Sequence, residues 1–395
     1  MATTGNNIKN AYKSSAPTTS SSSSSTCTTC ADAATAATST GYRRPRPVSA
    51  SSDRRECLLD RIAVMRQQES TPAYKICDYF ASTNRKNSST SSSSSSSSPA
   101  PDASCRAKMV QWCTQVTDYC EFSRETVAVA LSYVDRYLSI ISRATTSSTA
   151  TGQQQQPHHH FTDEQRAPLH DRREYQLLCM TALHTAIKIR EPLEMDTELV
   201  AELSRGTYTA ADVAWMEQQL LQVLGWRLAG PTSLDFCRHL IELVAATCAN
   251  NDTNRVAEAM VELCQLQTEL ASADYRFVPL NPSTVAVSSI LNAIEALGED
   301  VIVPTARLVM VETIRRVTKI DICAKAIRVC RDELMKGLAS AGVDFANIAA
   351  IDSNDASCSI NDGGTSNNKF GRRESIGSAE ESPISVAAHH HGCCA

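Results

Sequence analysis

Aromatic residues are scarce in this 395-residue chain, at 5%. That speaks against a sandwich or barrel core and for one packed from Ala, Leu and Val on helices. Basic charge is not in excess either. Lys and Arg number 38 against 43 Asp and Glu, a formal net charge of -5. Such a chain has no basic field with which to hold a phosphate backbone, so no nucleic-acid partner is expected. No apolar run is long enough to cross a bilayer. The opening is polar, without the apolar stretch of a secretory leader. At the other end, Gly392 stands where a prenylation box needs Cys. No membrane partner is therefore expected. A glycine-rich phosphate loop, a nucleophile triad and a metal-ligand cluster are all missing. The residues thus offer no enzyme site, no metal site and no cofactor.

Cysteine, by contrast, is frequent, with 16 in the chain. Cys113, Cys120, Cys179, Cys264 and Cys330 occupy places in helical patterns where a small apolar residue would serve, and read as buried reduced thiols. Cys27 and Cys30 have metal-ligand spacing but no second pair, and lie in a Ser/Thr tract. His158, His159 and His160 lie in a Gln/Ser/Thr tract and read as an incidental homopolymer.

The apolar residues, 42% of the chain, are concentrated in a few segments. Residues 1–53 are Ser/Thr/Ala-rich and read as a disordered tail. Residues 54–83 read as a helical extension. Leu58, Leu59, Ile62, Val64 and Met65 form one apolar group in it, and Tyr74, Ile76, Tyr79 and Phe80 another. Pro72 breaks the helix between them. Residues 84–103 read as a Ser-rich linker. A first helical unit follows over 104–230. One helix has Met109, Trp112, Cys113, Val116 and Tyr119 on one face. The next, capped by Ser123, buries Val127, Ala130, Leu131, Val134 and Leu138. Residues 143–171 read as a disordered insert. A nearly all-apolar helix from Tyr175 to Ile189 is expected at the centre. A short helix over 195–203 and one begun by Thr209 and Asp212 complete five. A second unit over 231–340 again shows five helices, starting near Ser233, Asn254, Pro282, Thr305 and Asp321, with Asn281 as an N-cap before Pro282 in the first turn and Asp321 as another N-cap. Residues 341–395 read as a disordered tail.

The first unit carries an ordered set of residues: Arg106, Trp112, Cys113, Glu125, then Tyr133 through Ser139, later Gln176, Lys188 and Glu217, and finally Leu224 through Leu228 and Pro231 through Phe236. In order and spacing the set resembles the cyclin box, and the resemblance extends over about residues 54–338. The low-complexity tracts resemble those of the expanded cyclin sets of diatoms and related algae. The resemblance implies an all-α fold of two consecutive five-helix cyclin domains. It implies a non-catalytic regulatory subunit that binds and activates a cyclin-dependent Ser/Thr protein kinase in cell-cycle control, in the nucleus or cytoplasm.

It also implies roles. Lys188 and Glu217 match the kinase-contacting pair. Arg106 and Asp135 match a buried ion pair, and the residues agree: a lone charge beside Trp112, Val116 and Leu131 would be costly. Met109, Trp112 and Gln176 match a docking patch for kinase substrates or inhibitors. There Cys105 and Lys108 depart from the family's Met and Ile, and a cation in an apolar groove repels basic ligands. The Lys-Glu-Glu that the family shows after the apolar run is here Lys188, Ile189, Arg190 and Glu191. In the C-terminal tail Ser375 has a basophilic-kinase context and Ser382 a proline-directed one. Arg43, Arg44 and Arg46 form a weak basic cluster that suits nuclear import. The D-type Leu-x-Cys-x-Glu signature is missing, and the Arg55–Leu58 match to a destruction box lies in a predicted helix. A cyclin-fold scaffold without a kinase, and a transcription-type cyclin fold, remain as alternatives.

Overall fold

The computed structural model describes residues 50–81, 100–147, 161–245 and 253–343. Among them there are helices and no strand. The contacts from Arg54 onward form one compact unit.

Helix α1, Ala50–Ser70, stops where the Thr71–Pro72 step forbids another helical turn. Five helices make the first fold: α2 (Ala103–Tyr119), α3 (Arg124–Ser147), α4 (Arg172–Arg190), α5 (Thr197–Leu203) and α6 (Ala210–Leu224). Asp102 caps α2 by accepting from the Cys105 amide at 2.8 Å. Every residue of α4 from Tyr175 to Ile187 is buried, so α4 is the centre about which α2, α3 and α6 pack. Thr209 and Asp212 form a reciprocal capping box at the head of α6. Its end is set by Gly225 at φ 59°, a left-handed turn that costs glycine nothing. On α3, Val127, Ala130, Leu131, Val134 and Leu138 are all buried. The expected apolar face of α2 holds for Met109, Cys113 and Val116, but Tyr119 is exposed, and so is Val64 on α1.

The second fold repeats the plan: α7 (Ser233–Ala245), α8 (Thr253–Ala273), α9 (Pro282–Ala296), α10 (Pro304–Thr318) and α11 (Lys325–Ser340). Its core runs through Phe236, Leu240, Leu263, Val287, Ile290, Ile314 and Ile327. Leu58, Ile62 and Met65 of α1 belong to this same core. Helix α1 therefore precedes the first fold in sequence and packs on the second in space. Pro282 occupies the first turn of α9, where its missing N–H is no loss, but the Asn281 side chain makes no cap. Glu69 of α1 supplies one instead. Its carboxylate accepts from the Ser283 amide at 3.0 Å and from the Ser283 hydroxyl at 2.6 Å.

Several boundaries differ from the sequence reading. Asp321 does not cap α11. It accepts from the Cys323 amide within a turn, and the helix begins at Lys325. Residues 143–171 are not one irregular insert. The segment 143–147 continues α3, with Thr145 bonded back to the Ile141 carbonyl and Arg143 to the carbonyls of Pro72 and Lys75. From residue 161 the chain is again placed: Thr162 and Gln165 form a capping box over a single turn, Asp163–Arg166, and Leu169 is buried. Only 148–160, with its Gln and His tracts, lies outside the described residues. At the other edge of the supposed linker, Pro101 is buried and Ala100 accepts from Arg172. Residues 50–53 are helical rather than tail. The tail readings for 1–49 and 344–395 lie outside the described residues, as do Ser375, Ser382 and the basic cluster at 43–46.

Candidate functional site

Exposure begins on α4 at Lys188, the first residue after the buried run. A cation there is favoured by the carbonyl end of the helix. Helix α6 packs on α4 through the buried Val213, Met216 and Leu220, which brings Glu217 opposite. The Lys188 ammonium lies 3.0 and 3.1 Å from the two carboxylate oxygens of Glu217. The Thr185 hydroxyl donates to Oε1 from 3.1 Å. The Lys188 side chain is 41% exposed and that of Glu217 17%. Ion pairs at a protein surface are worth about 0–1 kcal/mol, and here the exposed member is the Lys188 ammonium, which a partner can draw away at little cost. Two exposed apolar side chains, Ile189 and Leu193, follow Lys188 in the chain.

The residues that depart from the family pattern are engaged too. Glu125, at the head of α3, accepts from Arg190 at 3.1 Å and also pairs with Arg238 of α7. Glu191 turns inward and accepts from the Ser123 amide at 3.1 Å and from the Thr126 hydroxyl. The end of α4 is thus tied to α3 and, through one carboxylate, to the second fold.

Arg106 and Asp135 meet in a two-pronged pair. Nε donates to Oδ1 at 3.1 Å and Nη2 to Oδ2 at 2.9 Å. The Tyr79 hydroxyl donates to Asp135 at 2.7 Å. Nη1 of Arg106 reaches the carbonyls of Ser272 and Ala273, at the end of α8, at 2.8 and 3.2 Å. Arg106 is 1% exposed. Burial pulls its guanidinium towards losing its proton, but Asp135, Tyr79 and Tyr175 together offset this and hold it above its ordinary value.

The docking patch does not assemble as expected. Met109 is 2% exposed and Gln176 5%, so both are core residues that present no surface. Trp112 is half-buried, Cys105 is buried and Lys108 is exposed. The physical reason is helical phase: Met109 lies on the buried face of α2, and Gln176 falls within the buried run of α4. Only Trp112 is left of the three. Among the described residues no group of His, Cys, Asp and Glu could hold a metal ion, and no helix is long and apolar enough to cross a membrane.

Sequence reasoning missed Glu69 and His184, and met Glu125 only as a member of the ordered set, without its partners. A buried imidazole within the apolar run of α4 was visible as a pattern break. The partners of Glu69 and Glu125 were not, because both act across helix pairs that no local period records.

Two consecutive five-helix folds define an all-α, two-domain class of protein. The family model for the cyclin N-terminal domain matches residues 75–229, and that for the cyclin C-terminal domain matches 231–340. The chain belongs to the cyclin family. It is 27% identical to putative cyclin-A3-1 of Arabidopsis thaliana over 191 residues, 48% of this chain and 45% of that one. It is 25% identical to G1/S-specific cyclin-D1 of Mus musculus over 196 residues, 49% of this chain and 55% of that one. The chain spans about half the length of the curated relatives it matches. Among solved structures, a viral cyclin from herpesvirus saimiri matches with a TM-score of 0.45 at 13% identity, covering 72% of this chain and 99% of that one.

Proposed function

We propose that this chain is the regulatory subunit of a cyclin-dependent Ser/Thr protein kinase, which it binds and activates in cell-cycle control, in the nucleus or cytoplasm. One observation carries the reading: Lys188 and Glu217 form a weak, half-exposed pair at the rim of a rigid helical core. Both are free to exchange each other for backbone groups of a partner. The mechanism is a population shift. An isolated kinase of this class holds its helix C rotated out, so that the helix C Glu cannot pair with the β3 Lys that positions ATP. A subunit that binds the active arrangement more tightly moves the equilibrium, and going from about 1:99 to 99:1 needs roughly 5.5 kcal/mol of differential affinity. An interface of about 2,000 Å² or more is of the size that can supply it. The chain does no chemistry of its own in this scheme.

The test is a kinase pull-down joined to an activity assay, with Lys188→Ala/Glu217→Ala as the probe. Lys188 is exposed, Glu217 is partly exposed and neither belongs to the apolar core, so the double variant is expected to fold. It is expected to lose kinase stimulation while keeping the parent's unfolding midpoint. Normal stimulation by the folded double variant would refute the assignment.

A further inference from the structure

His184 lies one helical turn before Lys188 on α4 and is 3% exposed. It has a neighbour it cannot satisfy. The Met195 backbone acts on one side of the ring and favours its protonated form. Nδ1 has no hydrogen-bond partner and lies 3.8 Å from Oε1 of Glu217. A neutral ring that donates through Nε2 turns a lone pair at Nδ1 towards a carboxylate, and two acceptors face each other. The charged groups that act on the ring come from three elements: Lys188 from α4 itself, Glu217 from α6 and Asp196 from the head of α5. Burial is the largest influence and holds the imidazole below its ordinary value. Glu217 draws it up and Lys188 pushes it down.

We infer that His184 is a positioning residue for Glu217, taking up a proton when a partner draws Lys188 away. The inference rests on the reading of Lys188 and Glu217 as the partner-binding pair. Once Lys188 has left, the carboxylate loses its cation and the imidazole loses its repelling neighbour. A proton from solvent then binds Nδ1, and the new N–H donates to Oε1 in place of the ammonium. Glu217 stays oriented towards the partner instead of turning to water. The sign follows from linkage. A group that binds protons more tightly in the complex than in the free chain takes one up on association, so binding strengthens as pH falls between the two values. A rise of one pKa unit makes association up to about tenfold tighter at the acid end.

The device can be read first without any kinase. In the full chain labelled on its histidines, the His184 signal is assigned by its loss in His184→Gln and followed by NMR against pH. The parent is expected to titrate below the ordinary histidine range, Lys188→Met to titrate higher and Glu217→Gln lower still. An unchanged midpoint in Lys188→Met overturns the inference and leaves the kinase reading standing. The second arm uses the cyclin-dependent kinase recovered in the pull-down. Binding calorimetry near pH 6.5 in phosphate and in Tris should show proton uptake by the parent and none by His184→Gln, which keeps a side-chain N–H donor at this position. Equal uptake by both also overturns it. If instead the NMR shifts appear as expected and no kinase is recovered, the kinase reading fails and the inference fails with it.

Discussion

Five N–H donors on one side chain explain why Arg106 has no substitute. Its fork matches the Asp135 carboxylate, and its remaining corner reaches two carbonyls at the end of α8. Lysine would keep the charge and lose the fork. Arg106→Ala is expected to cost about 3–5 kcal/mol, because it strands Asp135 in the core. Urea unfolding of the full chain measures this, and a midpoint equal to the parent's would reduce Arg106 to a surface charge. The pair was legible because Asp135 falls between the core positions Val134 and Leu138. Its carbonyl acceptors were not, since a backbone oxygen leaves no mark in a sequence. Met109 and Gln176 failed for a related reason. Position on a helix face is legible, but which neighbour covers that face is decided by packing.

Helix boundaries followed local chemistry wherever the chemistry was complete within one element. Thr209 with Asp212 and Pro282 announced their helices, whereas Asp321 used the same chemistry to close a turn. The Thr209 backbone N–H and hydroxyl hold the Asp212 carboxyl below its ordinary value. A depressed carboxyl contributes stability above its unfolded value of about 3.9, and that contribution is lost as pH falls through the folded value. Asp212→Asn should therefore show a shallower loss of stability below about pH 4 than the parent, and identical acid limbs would count against the box. The destination of α1 was not legible, because its period marks an apolar face without naming what it meets. Glu69 caps α9 from across that contact. Glu69→Ala is expected to cost about 1–2 kcal/mol and to speed exchange of the Ser283 amide. Unchanged protection of that amide would show the cap to be idle.

At the scale of the whole molecule, the two five-helix folds and the order of their parts were legible from periodicity. The extent of the insert was not, because its Ser, Thr and Ala flanks carry no apolar signal and still continue α3. Replacing residues 148–160 by a short Gly/Ser loop, and keeping 143–147 and 161–171, should leave kinase activation and the unfolding midpoint close to the parent's. Loop closure changes by only about 0.6 kcal/mol per doubling of length. A folded variant that no longer activates its kinase would make the segment a working part. The reach of Arg106 into α8 has a further consequence, for the order of synthesis. Chains emerge from the ribosome N-terminus first, and domains ordinarily fold as they appear. Here the first fold is fully translated by Gly230, yet its central guanidinium still waits for carbonyls at positions 272 and 273. The leading half of the nascent chain must hold its buried charge incompletely bonded until most of the next two helices have been made, and its final locking is an event of the second fold.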